Sequence, residues 1–175
     1  FTRITETAEP TAVIPFLNSY SDAVISSIHE AGGEVLKLIG DGTLAIFDAA
    51  DPARGCAMAL AAEKALRARL PALAAEHEAS GLPVTSPYIG LHIGEVFYGN
   101  VGSRDRLDFT VVGPAVNEAS RVAVMCRSAE RDLLMSEAFC AAASDEDRRR
   151  FVSVGRYALR GVERPQELFT VDPDA

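Results

Sequence analysis

The sequence predicts an α+β sandwich in which helices pack on one β-sheet. Apolar residues recur at helical spacing in residues 10–31 and 51–78, and an Asp-Gly pair at 41–42 lies between two short β-rich runs. Helices and strands then alternate, which favours a sheet covered by helices over a helix bundle. With one further strand ahead of residue 1, the first half would have the order βαββαβ. The length of 175 residues suits one domain, and we expect a single domain over residues 1–175.

The first helix is predicted over residues 10–31, because its apolar side chains are three or four residues apart and Gly32-Gly33 can end it. Residues 34–39 and 43–47 are expected to form a hairpin around Gly40-Asp41-Gly42, where aspartate is also a residue that a type I′ turn prefers.

A second helix is predicted to begin after Asp51, with Pro52 in its first turn, and to run to about Glu78 before Ser80-Gly81-Leu82-Pro83 ends it. Pro71 is expected to kink or split this helix. The remaining predicted elements are strands over 88–98 and 107–112 joined by a turn at 99–103, a helix over 115–126, a strand over 133–136, a small polar helix near 141–150, and closing strands over 152–159 and 167–171.

The composition excludes several classes of protein. A formal net charge of -8 argues against nucleic-acid binding, since a phosphate backbone is held by a basic surface. The longest Ala/Leu-rich stretch, residues 55–73, is interrupted by charged side chains, so this chain contains no predicted membrane segment. Three cysteines without CxxC spacing indicate neither a disulfide framework nor a zinc site, which favours a cytoplasmic location.

Two polar residues near the hairpin are candidates for a functional site. Asp41 would project from a rigid turn between two glycines, which suits a ligand of a hard metal ion, although an isolated Asp-Gly is more often only a turn. Lys37 interrupts an apolar strand on the side of the pleat that also carries Val35 and Ile39. It could extend to solvent at a sheet edge or donate hydrogen bonds into a site.

A helix near residue 117 supplies a second pair of candidates. Asn117 and Arg121 are four residues apart, and therefore on one face of that helix. An amide and a guanidinium there could hold a polyphosphate and the oxygen that attacks it, although a plain amphipathic helix would explain both residues as well. His92, in an apolar segment, is interpreted as a buried histidine with satisfied hydrogen bonds.

Four segments, in order along the chain, resemble the motifs of class III adenylate cyclases. They are residues 33–42 (GEVLKLIGDG), 90–102 (GLHIGEVFYGNVG), 109–121 (FTVVGPAVNEASR) and 159–169 (LRGVERPQELF). The resemblance covers essentially the whole chain. It implies a ferredoxin-like βαββαβ core with additional C-terminal strands and helices, the first strand being missing from this chain.

The resemblance also implies the chemistry and the site. The family converts ATP to cyclic AMP and pyrophosphate, with two divalent metal ions, Mg²⁺ or Mn²⁺, at sites shared across a homodimer. Asp41 would be one of two metal-binding aspartates. The catalytic residues would be Asn117 and Arg121, and the substrate-binding residues would be Lys37 and Thr110, which read the adenine, and Arg160, which contacts the triphosphate. A monomer would be inactive.

Departures from the family pattern leave two alternatives open. The first metal-binding aspartate is expected three residues before Phe1, in a segment upstream that would also lead to a regulatory region; without it the chain should bind metal poorly. Pro114 stands where many relatives carry Asp, with little expected effect.

The Lys37 and Thr110 pair favours ATP, because guanylate-making relatives typically have an acid and a small polar residue there. The alternative from another class is a catalytically silent module for dimerisation or nucleotide sensing.

Overall fold

The structure is a computed structural model that describes residues 9–103, 106–159 and 165–172. The chain divides into two compact units. The first contains the described residues up to Phe47 together with Met58–Ser86, and the second contains Asp48–Ala57 together with the described residues from Pro87 onward. The single domain expected over residues 1–175 stays a prediction.

The first unit begins with helix α1, Pro10–Glu30, as the apolar spacing predicts. The helix ends at Gly32, whose φ of +84° is a left-handed conformation that glycine adopts without steric cost. The amide of Gly33 donates to the carbonyl of Ile28 at 2.9 Å and that of Gly32 donates to His29 at 2.9 Å, so two carbonyls of the last turn are satisfied.

Helix α1 packs on an antiparallel hairpin of β1, Glu34–Ile39, and β2, Gly42–Ile46. Ile39 pairs with Gly42, so Gly40 and Asp41 form a two-residue loop. Among the described residues of this loop only Gly40 has a positive φ, +64°, which matches a type II′ turn with glycine first. The hairpin is confirmed, but its turn is not of type I′, because Asp41 does not adopt the left-handed conformation.

Helix α2, Pro52–Ala79, begins and ends where the sequence predicts. Asp51 is its N-cap, because the backbone N–H of Arg54 donates to the Asp51 carboxylate at 3.2 Å. The helix continues through Pro71 without a break, so of the two expected effects the split is wrong and the kink stays a prediction. Packing accounts for this, since α2 is buried on both sides of Pro71, at Leu66 and at His77.

Two polar contacts join α2 to α1 within the first unit. The buried His77 ring contacts the Ser19 hydroxyl at 2.6 Å through Nε2 and the carbonyl of Pro83 at 2.9 Å through Nδ1. Arg69 donates through Nη1 to the Ser27 hydroxyl at 2.6 Å and through Nη2 to both carboxylate oxygens of Glu30, at 2.6 and 2.7 Å. These contacts fix the pairing of the two helices that flank the hairpin in sequence.

The second unit contains a four-stranded sheet and several helices. The elements are β3 Ile89–Leu91, α3 Pro114–Ser128, β6 Leu133–Ser136, α4 Glu137–Ala142, α5 Asp145–Arg148, β7 Phe151–Tyr157 and β8 Gln166–Val171. The order of strands in the sheet is β3-β6-β8-β7. β3 is parallel to β6, whereas β6, β8 and β7 are antiparallel neighbours. Helix α3 packs on β3 and β6, and its Val122 and Cys126 belong to a buried core with Leu134, Leu159 and Leu168.

The region between β3 and α3 differs from the sequence prediction. The strand expected over 88–98 ends at Leu91, and the turn expected over 99–103 lies inside strand β4, Phe97–Ser103, which pairs with β5, Arg106–Val112. The glycines at 99 and 102 indicated a local turn, but seven consecutive cross-strand pairs from Phe97 to Ser103 keep the backbone extended.

The α+β class is confirmed, and the order α1-β1-β2-α2-β3 agrees with the predicted βαββαβ order from its first helix onward. The described strands form three sheets instead of one, because the break after β3 separates the β4-β5 ribbon from the four-stranded sheet. The small helix expected near 141–150 is two short helices, α4 and α5, since Ser136 and Ser144 each cap a separate start.

Candidate functional site

The first unit carries Lys37 and Asp41 on one hairpin. Lys37 is half-buried in β1 and pairs with Leu44, whereas Asp41 is exposed in the loop. The strand register shifts between Val35 and Lys37. The regular alternation that would place Val35 and Lys37 on the same side of the pleat is therefore interrupted by a bulge. The expectation that Val35 and Lys37 share a side therefore fails at Leu36.

The Asp41 charge acts on a tyrosine of α1. Burial, followed by the charge of Asp41, raises the pKa of Tyr20 to about 12. Tyr20 also stacks on Phe16, with ring centroids 5.9 Å apart. The hairpin loop thus holds an exposed carboxylate close to a neutral phenol that stays protonated throughout the physiological pH range.

The Asp41 carboxylate offers one hard oxygen ligand of the kind that Mg²⁺ and Mn²⁺ prefer. Among residues 9–103, 106–159 and 165–172, no three or more His, Cys, Asp or Glu side chains gather into a group that could hold a metal ion. Mg²⁺ commonly binds one or two carboxylates and completes its shell with substrate phosphates and water. Asp41 fits that mode of binding, in which the nucleotide supplies part of the ligand set.

The second unit carries Thr110, Asn117 and Arg121. Thr110 is half-buried in β5, where it pairs with Gly99 of β4. Gly113 joins β5 to α3 with φ +151°, and a Cβ there would lie 3.0 Å from the carbonyl oxygen of Glu95. Only glycine fits this junction without strain, so the junction fixes where α3 begins relative to β5.

Asn117 and Arg121 lie one turn apart on α3, as predicted. Asn117 is exposed and Arg121 is half-buried. No hydrogen bond or ion pair joins either side chain to a residue in the described ranges. Both polar groups therefore remain available to a ligand, next to a helix start that Pro114 occupies without a side-chain cap.

A hydrogen-bonded group that the sequence reasoning missed lies beside these residues. We call His92, Glu118, Ser136 and Gln166 the His92 network. His92 Nε2 contacts the Glu118 carboxylate at 3.0 Å and Nδ1 contacts the Ser136 hydroxyl at 2.8 Å, while Gln166 donates to the other Glu118 oxygen at 3.4 Å. The interpretation of His92 as a buried, satisfied residue is confirmed, since its side chain is only 7% exposed.

The environment of His92 favours its neutral form. Burial lowers the pKa of His92, and the nearby Glu118 charge only partly opposes that effect. A pocket of about 310 Å³ adjoins this pair and is lined by His92, Gly94, Glu95, Phe97, Pro114, Ala115 and Glu118. One local signal for this site is present in the sequence, a glutamate directly after Asn117, but its partner His92 lies outside α3.

The three cysteines, Cys56, Cys126 and Cys140, are free and buried. Burial raises the pKa of the Cys56 thiol to about 11 and that of Cys140 to about 12. Thiols with such pKa values stay protonated and are poor nucleophiles. No helix in the described part of the chain combines the length and the apolar character needed to cross a membrane.

The predicted site residues thus fall in two groups. Lys37 and Asp41 lie in the first unit, and Thr110, Asn117 and Arg121 lie in the second. Arg160, the residue expected to contact the triphosphate, lies outside the described residues. Their roles as metal, base and transition-state ligands stay predictions.

Comparisons with known proteins identify relatives across almost the whole chain. Residues 1–172 match the model of the adenylate and guanylate cyclase catalytic domain. An adenylate cyclase of Anabaena cylindrica is 37% identical over 139 residues, which are 78% of this chain and 27% of that protein. The predicted resemblance to cyclases is confirmed.

Solved cyclase structures have the same fold. The adenylyl cyclase CyaB from P. aeruginosa aligns with a TM-score of 0.83 at 25% identity, over 97% of this chain and 87% of that chain. The guanylyl cyclase Cya2 aligns with a TM-score of 0.82 at 27% identity, over 98% of this chain and 85% of that chain. The chain spans less than a third of the length of the curated relatives it matches first.

Proposed function

Because the chain belongs to the family of adenylate and guanylate cyclase catalytic domains, we propose that it converts ATP to 3′,5′-cyclic AMP and pyrophosphate. The observation that carries the choice of ATP is the pair formed by Lys37 in β1 and Thr110 in β5. An ammonium group only donates hydrogen bonds, so Lys37 suits the N1 acceptor of adenine, and the Thr110 hydroxyl can accept from the adenine N6 amine. Guanine presents a donor at N1, from which an ammonium group cannot accept, whereas the Thr110 hydroxyl can also donate to guanine O6, so Lys37 carries most of the discrimination.

The reaction needs positioning more than a protein nucleophile. The ribose 3′-oxygen forms a bond to the α-phosphorus, the bond from that phosphorus to the pyrophosphate oxygen breaks, and the 3′-hydroxyl proton leaves. Nucleophile and phosphorus belong to one flexible molecule, so holding it folded and in line removes a large entropic cost. Asn117 binds the ribose oxygen, and the Arg121 guanidinium donates to the phosphoryl oxygens as their charge grows.

Metal ions complete the proposal. Asp41 would hold one of two Mg²⁺ or Mn²⁺ ions together with the nucleotide phosphates, and bound metal lowers the pKa of the 3′-hydroxyl and offsets phosphate charge. Arg160 would contact the triphosphate, since a guanidinium can bind phosphate oxygens in a bidentate manner.

The proposed active form is a homodimer in which each site takes Asp41 from one subunit and Lys37, Thr110, Asn117 and Arg121 from the other. Support comes from the β4-β5 ribbon of the second unit, where Phe97, Val101 and Val112, the cross-strand partner of Phe97, share one face and are 65%, 52% and 48% exposed. Such a patch on two adjacent strands is typical of a surface that is covered in an assembly. The proposal includes a cytoplasmic location, where ATP is available, and a regulatory region in the rest of the intact protein.

GTP is the second candidate substrate, and the similarity to the guanylyl cyclase Cya2 favours including it. The test is an assay of the intact protein with ATP and GTP side by side, with Mn²⁺ and with Mg²⁺. A Lys37→Glu, Thr110→Cys double variant should shift the ratio of GTP to ATP turnover by about tenfold or more, because one mispaired hydrogen bond costs about 1 to 2 kcal/mol.

The matched control is Lys64→Glu, which makes the same charge change on an exposed position of α2. It should leave the ratio of GTP to ATP turnover unchanged. An intact protein that makes neither cyclic nucleotide would leave the silent module as the better description of this chain. Preferred use of GTP by the wild type would refute the interpretation of Lys37 and Thr110.

A further inference from the structure

Glu118 lies on α3 between Asn117 and Arg121, the two residues proposed to be catalytic. It directly follows Asn117 and precedes Arg121 by three residues, so all three lie within about one helical turn. A rotation of α3 that moves Glu118 also changes the direction in which Asn117 and Arg121 point. The contacts that hold Glu118 therefore control the geometry of both side chains.

The hydrogen bonds of the His92 network are directional and complete. Ser136 is the N-cap of α4, and its hydroxyl oxygen accepts from the backbone N–H of Phe139 at 3.2 Å. Its own proton can then be donated to His92 Nδ1, which leaves the Nε2–H of a neutral imidazole to donate to Glu118. No buried side-chain N or O atom in the described ranges lacks a hydrogen-bond partner, as this assignment of protons requires.

Close packing limits how near α3 comes to the segment that carries His92. The buried Val122 and Cys126, whose thiol donates to the carbonyl of Ile89 at 3.3 Å, orient the C-terminal half of the helix, and the His92 network restrains its N-terminal half. A Cβ on Gly90 would lie 2.3 Å from the backbone N of Ala123, and a Cβ on Gly94 would lie 2.8 Å from the Cβ of Ala115. These van der Waals contacts limit approach and have little directional preference. The hydrogen bond between His92 and Glu118 has a preferred direction, so it opposes rotation of the helix.

We propose that His92 is a positioning residue which, through Glu118, fixes the rotation of α3 and with it the directions of Asn117 and Arg121. This inference rests on the proposed function, because it names a residue that supports the same site. Lys37 and Thr110, which bind the base in that proposal, do not lie on α3. Loss of the His92 network therefore lowers turnover and leaves substrate binding nearly unchanged.

The test measures kcat and KM for ATP in the intact protein and four variants. His92→Leu and Glu118→Ala remove the link, whereas Glu118→Gln keeps an oxygen that accepts from His92 Nε2–H. Leu66→Val is the control for stability alone, because Leu66 is buried in α2 of the first unit and does not belong to the core that holds α3. All assays are run below the melting temperature of the least stable variant.

The expected result is a fall in kcat of about 10- to 100-fold for His92→Leu and Glu118→Ala, since a misplacement of about 1 Å can cost that much. KM should stay within about threefold of the wild type, and Glu118→Gln should recover most of the turnover. Three results would each overturn the inference: wild-type kcat in His92→Leu, a rise in KM alone, or an equal loss of kcat in Leu66→Val.

Hydrogen exchange separates this inference from the proposed function. Amides of residues 118–121, which donate within the helix, should exchange faster in His92→Leu than in the wild type, and should be restored to the wild-type rate in Glu118→Gln. If the wild type makes no cyclic nucleotide, the proposed function fails, and the exchange data still decide the positioning role. Unchanged exchange of residues 118–121 in His92→Leu would overturn it.

Discussion

Gly90 offers the sharpest test of how the fold positions the candidate site. It lies in β3 at the point where the strand touches α3. In Gly90→Ala the new Cβ would be 2.3 Å from the backbone N of Ala123 and 2.7 Å from the carbonyl oxygen of Ala119. Both contacts involve helix backbone, which has no alternative rotamer, so α3 itself must move.

The required movement can be read from these distances. Ordinary van der Waals contact for a Cβ begins at 3.4 Å, so Ala123 must retreat by about 1.1 Å, the difference from 2.3 Å. Overpacking of this kind typically costs about 1 to 3 kcal/mol. For a chain of this size, each 1 kcal/mol lowers the melting temperature by about 2 to 4 °C, which gives an expected decrease of roughly 2 to 12 °C.

The substitution should lower kcat more strongly than it lowers the free energy of unfolding, because α3 carries Asn117 and Arg121. A shift of about 1 Å at these side chains corresponds to a loss of about 10²-fold in kcat. Circular dichroism gives the melting temperature and an ATP assay gives kcat at a temperature where the variant is folded. Gly99→Ala, which meets no atom within 4 Å, should keep the wild-type melting temperature. A Gly90→Ala protein with wild-type stability and kcat would show that α3 is not held against β3 at Gly90 in the way these distances require.

Three other predictions follow from the site. Asn117→Ala and Arg121→Ala should each lower kcat by about 10²- to 10³-fold, whereas Arg127→Ala, an exposed arginine in the last turn of the same helix, should not. A mixture of Asp41→Ala and Asn117→Ala proteins, each inactive alone, should recover part of the activity if sites are shared between subunits, and no recovery would argue against the dimer. Burial lowers the pKa of His92 in the folded protein, so its share of the free energy of unfolding is fully present above about pH 6.5 and decreases as the pH falls through the folded pKa. Urea unfolding between pH 7.5 and 5 should show this decrease in the wild type and a smaller one in His92→Gln; equal slopes would contradict it.

Local chemistry allowed the hairpin and the helix ends to be predicted from sequence. Gly32 and Gly81 adopt positive φ at the ends of α1 and α2, and Asp51 caps α2, each as its residue type suggests. Glu130 takes the same left-handed role after α3 without being glycine. Residue type therefore indicates such positions but does not determine all of them.

Long-range pairing could not be predicted in the same way. Residues 99–103 contain turn-forming residues, yet they form a strand because β5 pairs with them residue by residue. The bulge beside Lys37 depends on the register with β2, which no local pattern of β1 reveals. In both places a tertiary contact overrides the local preference.

In the candidate site, too, local features could be predicted from the sequence and long-range contacts could not. Asn117 and Arg121 could be placed on one helix face from their spacing, because both belong to α3. The bond between His92 and Ser136 joins residues 44 positions apart, and the Glu118 link joins different elements as well. Such contacts depend on how β3, β6 and α3 pack, so the sequence identified His92 only as a buried histidine.

We propose that this chain makes cyclic AMP from ATP, with Lys37 and Thr110 selecting the base. The decisive measurement is product formation by the intact wild-type protein with equal concentrations of ATP and GTP and with Mn²⁺ or Mg²⁺. Cyclic AMP should be the main product, and both products should be lost when the metal is chelated. Cyclic GMP as the main product, or no cyclic nucleotide under either metal, would contradict it.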